Sequence, residues 1–219
     1  MTDVSILSEV ELFAEMDDAE LERLGSVAER RQLRRGDTLF AEGDPSTELY
    51  VAVKGRIAMV KRSIDGRESM MALMEHGDLF GEMPFFDQQG RSTEARALET
   101  SEVLVIPYGT VRSIYESRPE LLWGVTAMLV TRLRNIDDAL ADSVFLDVTG
   151  RTAKRLLELA GDNDEFSLPI TQEELAGLVG ASRERVNKAI ASFIRLGWIE
   201  QHDRRYVIVD REQLSRRAI

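Results

Sequence analysis

PELLWGVTAMLVTRLRNIDDALADSV, residues 119–144, places apolar side chains at Leu122, Val125, Leu129, Leu133, Ile136, Leu140 and Val144, spaced by threes and fours. That period sets them on one face of an α-helix, where a strand would alternate every second residue. Pro119 suits the first turn, in which a missing N–H costs nothing. At ~1.5 Å per residue the helix is roughly 39 Å long, which is long for a globular domain. Its stripe resembles the a and d seam of a two-stranded coiled coil. It either lies across its own domain or forms a dimer spine between two domains, and the seam-like stripe favours the spine.

To its N-terminal side the texture is different. From Arg31 to Pro107 short apolar runs (DTLFAEG, ELYVAVKG, RIAMVKR, SMMALMEHG, SEVLVIP) are punctuated by glycines at 36, 43, 55, 66, 77, 81 and 90, with Gly-Asp or Asp-Gly pairs recurring. Short strands at regular spacing with turn signals predict a β sandwich or barrel, and a jelly roll suits about eight of them. The glycines are turn residues, with Gly81 the exception. Before the strands, residues 8–29 predict a short helical segment with Leu12, Phe13, Leu21, Leu24 and Val27 on its apolar side.

To the C-terminal side, residues 169–199 read PITQEELAGLVGASRERVNKAIASFIRLGWI. Thr171 and Glu174 form a capping box that starts a helix whose apolar face holds Leu175 and Leu178, and Gly180 ends it. Ser182 then caps a second helix running to about Leu196, with Val186, Ala189, Ile190 and Phe193 inward. Two short helices joined by a Gly-containing turn form a helix-turn-helix. The outward residues at the second helix's start are Arg183, Glu184, Arg185, Asn187 and Lys188. Arg and Lys read guanine edges, Glu accepts from cytosine N4, and Asn suits adenine. Gln172 opens the first helix, where an N-terminus meets a backbone phosphate. Gly197 to Val209, turning at His202-Asp203-Arg204, predicts a two-stranded wing, and Trp198 is expected in the core.

Charge supports this division. The chain carries a net −11, yet residues 151–219 hold 12 Lys and Arg against 11 Asp and Glu, while the first 150 hold 16 against 28. The small C-terminal part is therefore free to approach phosphate. No run of eighteen apolar residues predicts a membrane span, and no basic, apolar leader opens the sequence, so the cytoplasm is the expected location. Zero cysteines exclude disulfides and thiolate metal sites. The two histidines, His76 and His202, are too few and too far apart for a protein-built metal site or a cupin-like metalloenzyme, leaving room only for a single axial ligand to haem. The chain is not expected to be an enzyme.

One stretch breaks the strand pattern: Phe80-Gly-Glu-Met-Pro-Phe-Phe-Asp-Gln-Gln-Gly-Arg-Ser-Thr-Glu-Ala95. Its chemistry suits a cyclic phosphate. Gly81 lets backbone N–H groups approach closely, Arg91 offers a fork of donors to phosphate oxygens and Ser92 adds a hydroxyl. Glu82, acceptor-only when ionised, suits a ribose hydroxyl. The plainer alternative is an ordinary turn with a Glu82–Arg91 surface ion pair.

Gly-Glu followed nine residues later by Arg-Ser, inside a Gly-punctuated β domain, resembles the phosphate-binding cassette of cyclic-nucleotide-binding domains. With the long helix, the segment Phe145-Leu-Asp-Val-Thr-Gly-Arg151 and the helix-turn-helix, nearly the whole chain resembles the CRP/FNR family of bacterial transcription regulators. The resemblance implies an α+β chain in three parts: a cyclic-nucleotide-binding β roll over 1–117, a dimerisation helix and hinge over 118–147, and a winged helix-turn-helix over 148–219. It implies a homodimer on a palindromic site in double-stranded DNA, RNA polymerase as a further partner, and a cyclic nucleotide, cyclic AMP, as effector. By the same match Arg183, Glu184 and Lys188 (where the family commonly has Arg) read bases, while Ser182 and Arg185 make phosphate or auxiliary contacts. Phe145, Asp147 and Gly150 form the hinge; Asp147, polar amid Phe145, Leu146 and Val148, is expected to cap or hydrogen-bond across the bend, and Gly150 to break the long helix, with the next helix running from Thr152 to Ala160 and stopping at Gly161.

One pair departs from the family. Its cyclic-AMP sensors carry a Thr and a small polar residue on the long helix, about nine residues before the Phe-Leu-Asp-Val segment, to hydrogen-bond adenine. Here those positions are Ile136 and Asp137. Ile donates nothing, Asp only accepts, and Arg132 one turn earlier is left to stack on or bond the base. Three outcomes stay open: cyclic AMP held in an altered mode, another ligand such as cyclic GMP, cyclic di-GMP or haem through His76, or a regulator active without ligand.

Overall fold

The computed structural model describes residues 4–66, 68–168, 170–202 and 205–219. The chain forms two compact units, one gathering most of the residues up to Leu133 and the other Glu68–Met70 with residues 134–219.

The first unit opens with helix α1 (Val4–Ser8), a single 3₁₀ turn (Glu11–Phe13) and helix α2 (Asp18–Val27). The one helical segment expected over 8–29 is therefore split into the 3₁₀ turn and α2, with α1 ending where it was expected to begin. The break is made by Asp17, whose carboxylate accepts from the Glu20 N–H at 2.9 Å while Glu20 accepts from the Asp17 N–H at 2.9 Å. This capping box starts a new helix where a continuous one was expected. Leu12, Phe13, Leu21 and Leu24 are buried as expected, but Val27 is 38% exposed.

Strands β1 (Glu29–Leu33), β2 (Thr38–Phe40), β3 (Glu48–Lys54), β4 (Ile57–Arg62), β5 (Glu68–Met74) and β6 (Leu79–Phe80) follow. Helix α3 (Met83–Asp87) then precedes β7 (Glu94–Ala97) and β8 (Ser101–Pro107). They form two four-stranded sheets, ordered β1-β8-β3-β6 and β2-β7-β4-β5, which is the jelly-roll arrangement. Helix α4 (Tyr108–Ser117) and a 3₁₀ turn (Pro119–Leu121) lead into α5 (Leu122–Phe145). The long helix thus begins three residues later than expected, after a tighter turn.

β3 and β8 read as unbroken apolar runs because both faces of their sheet are covered. Leu49, Val51, Leu104 and Ile106 face a core shared with α1, α2 and α4. Their neighbours Tyr50, Ala52, Val103 and Val105 join Phe40, Ile57 and Phe80 in a second core. Three Gly-Asp pairs serve one device: Asp37, Asp44 and Asp78 each accept, at 2.8 Å, the backbone N–H of the residue three before. The preceding Gly36, Gly43 and Gly77 take φ of +89, +86 and +87°, the value a type II turn requires at that place.

The second unit contains α6 (Val148–Ala160), β9 (Glu165–Ser167), α7 (Gln172–Val179), α8 (Arg183–Arg195), β10 (Ile199–His202), β11 (Arg205–Ile208) and α9 (Arg211–Arg217). Leu156, Leu175, Val179, Val186, Ile190, Phe193, Tyr206 and Leu214 are buried in it. The wing carries a third strand: β9 pairs antiparallel with β11, so the sheet runs β10-β11-β9. Three residues between a turn and a proline are too few to show a period of two. Of the expected wing turn, Asp203 and Arg204 lie outside the described residues, as does Pro169.

Gly55, between β3 and β4, has φ +79°, and a Cβ there would stand 2.4 Å from Ser101 Oγ and 2.7 Å from the Thr100 carbonyl. Gly55→Ala is expected to destabilise the chain by about 2 kcal/mol or more through left-handed strain and overpacking. A urea midpoint equal to that of the unaltered protein would show that the turn gives way at little cost.

Candidate functional site

The end of β6, α3 and the start of β7 bring Gly81, Glu82, Arg91 and Ser92 into one loop. Gly81 takes φ +76°, and a Cβ there would lie 2.4 Å from Arg91 Nη1. The residue must therefore be glycine for two independent reasons. Arg91 is 4% exposed. Its Nη1 donates to the Gly81 carbonyl at 2.7 Å and its Nη2 to the Glu48 carbonyl at 2.8 Å. The guanidinium lies over the Phe40 ring, 4.1 Å from its centroid, and 5.2 Å from that of Tyr50. Cation–π contact and charge-assisted bonds together make burial of this charge tolerable. The fork expected to face a phosphate is thus engaged by the protein's own carbonyls. Nε alone is buried without a partner among the described residues.

The Arg91 backbone is pinned as well. Its N–H donates to Asp44 and its carbonyl accepts from Gly43, at 2.9 and 2.8 Å. This close approach explains Gly90, where a Cβ would meet the Gly43 carbonyl at 2.7 Å. Gly90 looked like plain turn chemistry because its constraint comes from a turn some fifty residues away in sequence.

Glu82 is 4% exposed and forms an ion pair with Arg132 of α5. Arg132 Nη2 also donates to the Leu79 carbonyl at 3.3 Å. The partner is therefore Arg132 and not Arg91, as a simple turn would have it. Ser92 is exposed and reaches only the weak acceptor Met83 Sδ, at 3.4 Å. Around Arg91, Tyr50 Oη donates to Glu48 Oε1 at 2.6 Å and Tyr108 Oη to the Gly81 carbonyl at 2.5 Å. Burial first, and then the bond to Glu48, push the Tyr50 phenol well above its ordinary range. No motif announces Tyr50, Tyr108 or Phe40, which stand inside ordinary strand and helix-start sequence.

Along α5, Val125 and Met128 are buried in the first unit. The remaining seam residues Leu122, Leu129, Leu133, Ile136, Leu140 and Val144 are 45–68% exposed, and Asp137 is exposed beside them. An apolar stripe of this length on one helix is more than scattered surface residues account for.

α5 ends at Phe145, itself 82% exposed, and α6 begins at Val148. The break comes at Asp147 and not at Gly150. Asp147 takes extended backbone angles and caps α6 by accepting from the Gly150 N–H at 2.8 Å. Gly150 sits inside α6, packed so closely that a Cβ would lie 3.0 Å from the Arg217 carbonyl. Its smallness serves helix packing. The junction is gripped by three cations: Arg217 pairs with Asp147, Lys154 with Asp142 at 2.5 Å, and Arg151 donates to the carbonyls of Leu146 and Val179 at 2.8 and 2.9 Å. Gly161 closes α6 as expected.

α7 starts on the expected capping box, Thr171 with Glu174, and ends at Gly180 with φ +67°. Ser182 caps α8 by accepting from the Arg185 N–H at 3.4 Å. Val186, Ala189, Ile190 and Phe193 are buried, and Arg183, Glu184, Arg185 and Lys188 are exposed together at the helix start. Asn187 differs from the outward set. It is half-buried, and its Oδ1 is buried without a partner among the described residues. One position on from Val186 and three before Ile190, it lies on the flank of the inward stripe. Gln172 is half-buried in the first turn of α7, and Trp198 is half-buried against Phe193, with ring centroids 5.8 Å apart.

His76 hydrogen-bonds the Val53 carbonyl through Nδ1 at 2.7 Å and is exposed. Among the described residues there is no group of three or more His, Cys, Asp or Glu fit to hold a metal ion, and no helix long and apolar enough to cross a membrane.

Residues 30–118 match the family model of the cyclic nucleotide-binding domain, and residues 150–217 match that of the Crp-like helix-turn-helix domain. The chain is 37% identical over 220 residues to the CRP-like cAMP-activated global transcriptional regulator of Mycobacterium tuberculosis, covering 97% of this chain and 98% of that one. It is 32% identical over 178 residues to the cAMP-activated global transcriptional regulator CRP of Escherichia coli O157:H7, covering 78% of this chain and 85% of that one. The structure of FixK2 from Bradyrhizobium japonicum superposes with a TM-score of 0.80 at 21% identity, over 88% of this chain and 98% of that one, a likeness of fold.

The Gly150 N–H first, and then the Arg217 guanidinium, hold the Asp147 carboxyl below its usual range. Its contribution to stability is therefore present above the unfolded pKa, near ~3.9, and is lost as pH falls through the folded value. Asp147→Asn keeps the cap but removes the charge. It should lower the melting temperature at neutral pH, with the difference narrowing as pH drops below about 4; a difference independent of pH would mean that the charge is irrelevant to the junction.

Proposed function

The chain belongs to the CRP/FNR family of transcription regulators, and from that premise we propose that it works as a homodimer whose hold on a palindromic operator is set by a cyclic nucleotide, cyclic AMP. It is a DNA-binding regulator that joins a cyclic-nucleotide-binding domain to a helix-turn-helix. The observation that carries the effector reading is the buried charge in the β roll: Glu82 and Arg91, each 4% exposed, stand on one loop with opposite chemistry. A buried guanidinium with one N–H unspent suits an anion, and a buried carboxylate suits a ribose hydroxyl. The cAMP-activated relatives point to cyclic AMP as the first nucleotide to try.

In this reading residues 1–117 bind the effector, 118–147 supply the dimer helix and hinge, and 148–219 bind DNA. Gly81, Glu82, Arg91, Ser92 and Arg132 serve the ligand. The exposed stripe Leu129, Leu133, Ile136, Leu140 and Val144 pairs with its copy, as a seam of this spacing favours. Arg183, Glu184 and Lys188 read base edges; Gln172, Ser182 and Arg185 make backbone or auxiliary contacts; Asn187, half-buried, contributes from the flank. A ribose hydroxyl donating to Glu82 takes a share of the carboxylate that Arg132 holds. Through α5 and the hinge at Phe145, Asp147 and Gly150, the ligand favours the arrangement that sets two recognition helices one turn of DNA apart, a population shift. RNA polymerase is the expected partner on DNA, and the cytoplasm the expected location.

A second reading is favoured by Ile136 and Asp137, which offer adenine no donor. In it the same DNA-binding protein answers to cyclic GMP, cyclic di-GMP or haem, or needs no effector. Calorimetry with the three cyclic nucleotides, read alongside DNA affinity, separates these readings, and Soret absorbance of the purified protein decides for haem.

Arg91→Leu is expected to abolish nucleotide binding, since each charge-assisted bond is worth about 1.5–3 kcal/mol; calorimetric affinity equal to that of the unaltered protein would overturn the cassette assignment. Lys188→Ala is expected to cost about 1–3 kcal/mol on the operator and to relax preference at one base pair. If affinity falls equally on all sequences and the salt slope drops by about 1, Lys188 contacts phosphate instead.

A further inference from the structure

Tyr108 opens α4 directly after β8, and its hydroxyl meets three segments that are far apart in sequence. It donates to the Gly81 carbonyl at 2.5 Å, lies 2.7 Å from Ser46 Oγ and receives Arg91 Nη1 at 3.4 Å. A phenol has one proton and two lone pairs. The proton goes to Gly81, whose carbonyl has none to give; Ser46 and Arg91 then take the two lone pairs. The hydroxyl is saturated, and the Gly81 carbonyl is saturated too, since it also receives Arg91 Nη1 at 2.7 Å.

A buried tyrosine ordinarily needs one partner. Tyr115, in the same helix, has that simpler arrangement, donating to the Leu12 carbonyl at 2.6 Å. At Tyr108 the polar contacts converge instead on the two residues that define the cassette. Burial, the larger influence, raises the Tyr108 phenol above its ordinary range against the bonds from Ser46 and Arg91, so it stays a protonated donor.

We propose that Tyr108 is a positioning residue for the effector's phosphate: it fixes the Gly81–Glu82 peptide and the Arg91 guanidinium in the one arrangement that leaves Nε of Arg91 unspent. The assignment rests on the cyclic-nucleotide reading above. It explains why Arg91 can spend both terminal nitrogens on the protein and still serve a ligand. Its orientation is set before the ligand arrives, so less ordering is left to binding.

The test is titration calorimetry on the full chain with cyclic AMP, with a cyclic AMP phosphorothioate carrying sulfur in place of one phosphate oxygen, and with an adenine-substituted analogue. Tyr108→Phe should weaken cyclic AMP about tenfold, the effect of one lost hydrogen bond to a positioned group, while Tyr115→Phe leaves affinity unchanged. The penalty for sulfur should shrink in Tyr108→Phe, because the phosphate donors are already misplaced, whereas the penalty for the adenine substitution should not. Unchanged cyclic AMP affinity overturns the assignment, as does an equal loss in Tyr115→Phe or an undiminished sulfur penalty. If Tyr108→Phe does not fold, Ser46→Ala carries the test, with about a threefold loss expected and no loss counting against it. If the unaltered protein binds none of cyclic AMP, cyclic GMP and cyclic di-GMP, the cyclic-nucleotide reading falls and this assignment with it; if it binds and the variants bind equally well, only the role of Tyr108 falls.

Discussion

A guanidinium cannot be buried alone, and much of the first unit is arranged around one that is buried. Arg91 is 4% exposed, stacked on Phe40 and engaged with the carbonyls of Gly81 and Glu48. Desolvating such a charge costs several kcal/mol unless its donors are met. That requirement accounts for the positive φ at Gly81, for the glycine at 90 where two backbones nearly touch, and for the tyrosines that bring hydroxyls to the same place. The loop is therefore held by many contacts because its charge must be satisfied.

Charge governs the second unit's entrance in a different way. At the α5–α6 junction Asp147 caps one helix while Arg217, from the far end of the chain, pairs with it, and Arg151 ties the carbonyl of Leu146 to that of Val179. These contacts are partly exposed, so each is worth little singly. Together they fix where α6 starts relative to α7, and α7 positions α8 through the turn at Gly180. The placement of Arg183, Glu184 and Lys188 thus depends on polar groups outside α7 and α8.

The long helix joins these two regimes. Its first turns are held by burial of Val125 and Met128, and its later turns keep a stripe of large apolar residues in water. The helical period keeps these residues on one face, and among the described residues they stay largely exposed. The pairing proposed for it would bury that stripe and bring two copies of the recognition helix together.

Much of this was legible in residue order because it depends on local rules. The period of three and four in α5, the capping box at Thr171 and Glu174, the Gly180 stop and the Ser182 cap are each set within a few residues, and the structure shows each of them. So is the turn chemistry of the Gly-Asp pairs. What failed to show in the sequence depends on neighbours brought from elsewhere. Asp147 caps across the bend as its polar place among apolar neighbours suggested, but Gly150 is not the break, since a glycine can simply sit inside a helix when packing demands its smallness. Asn187 turned toward the flank because the inward stripe is wider than its largest residues suggest. β9, too short to carry a period, formed because β11 offered an edge. The sequence by itself determined most of the elements, since periodicity and capping chemistry act over short distances. Only the tertiary structure decided the partners of the cassette residues, Arg132 for Glu82 and Tyr108 for Gly81 and Arg91, because a buried polar group takes whichever complement the fold brings within about 3 Å.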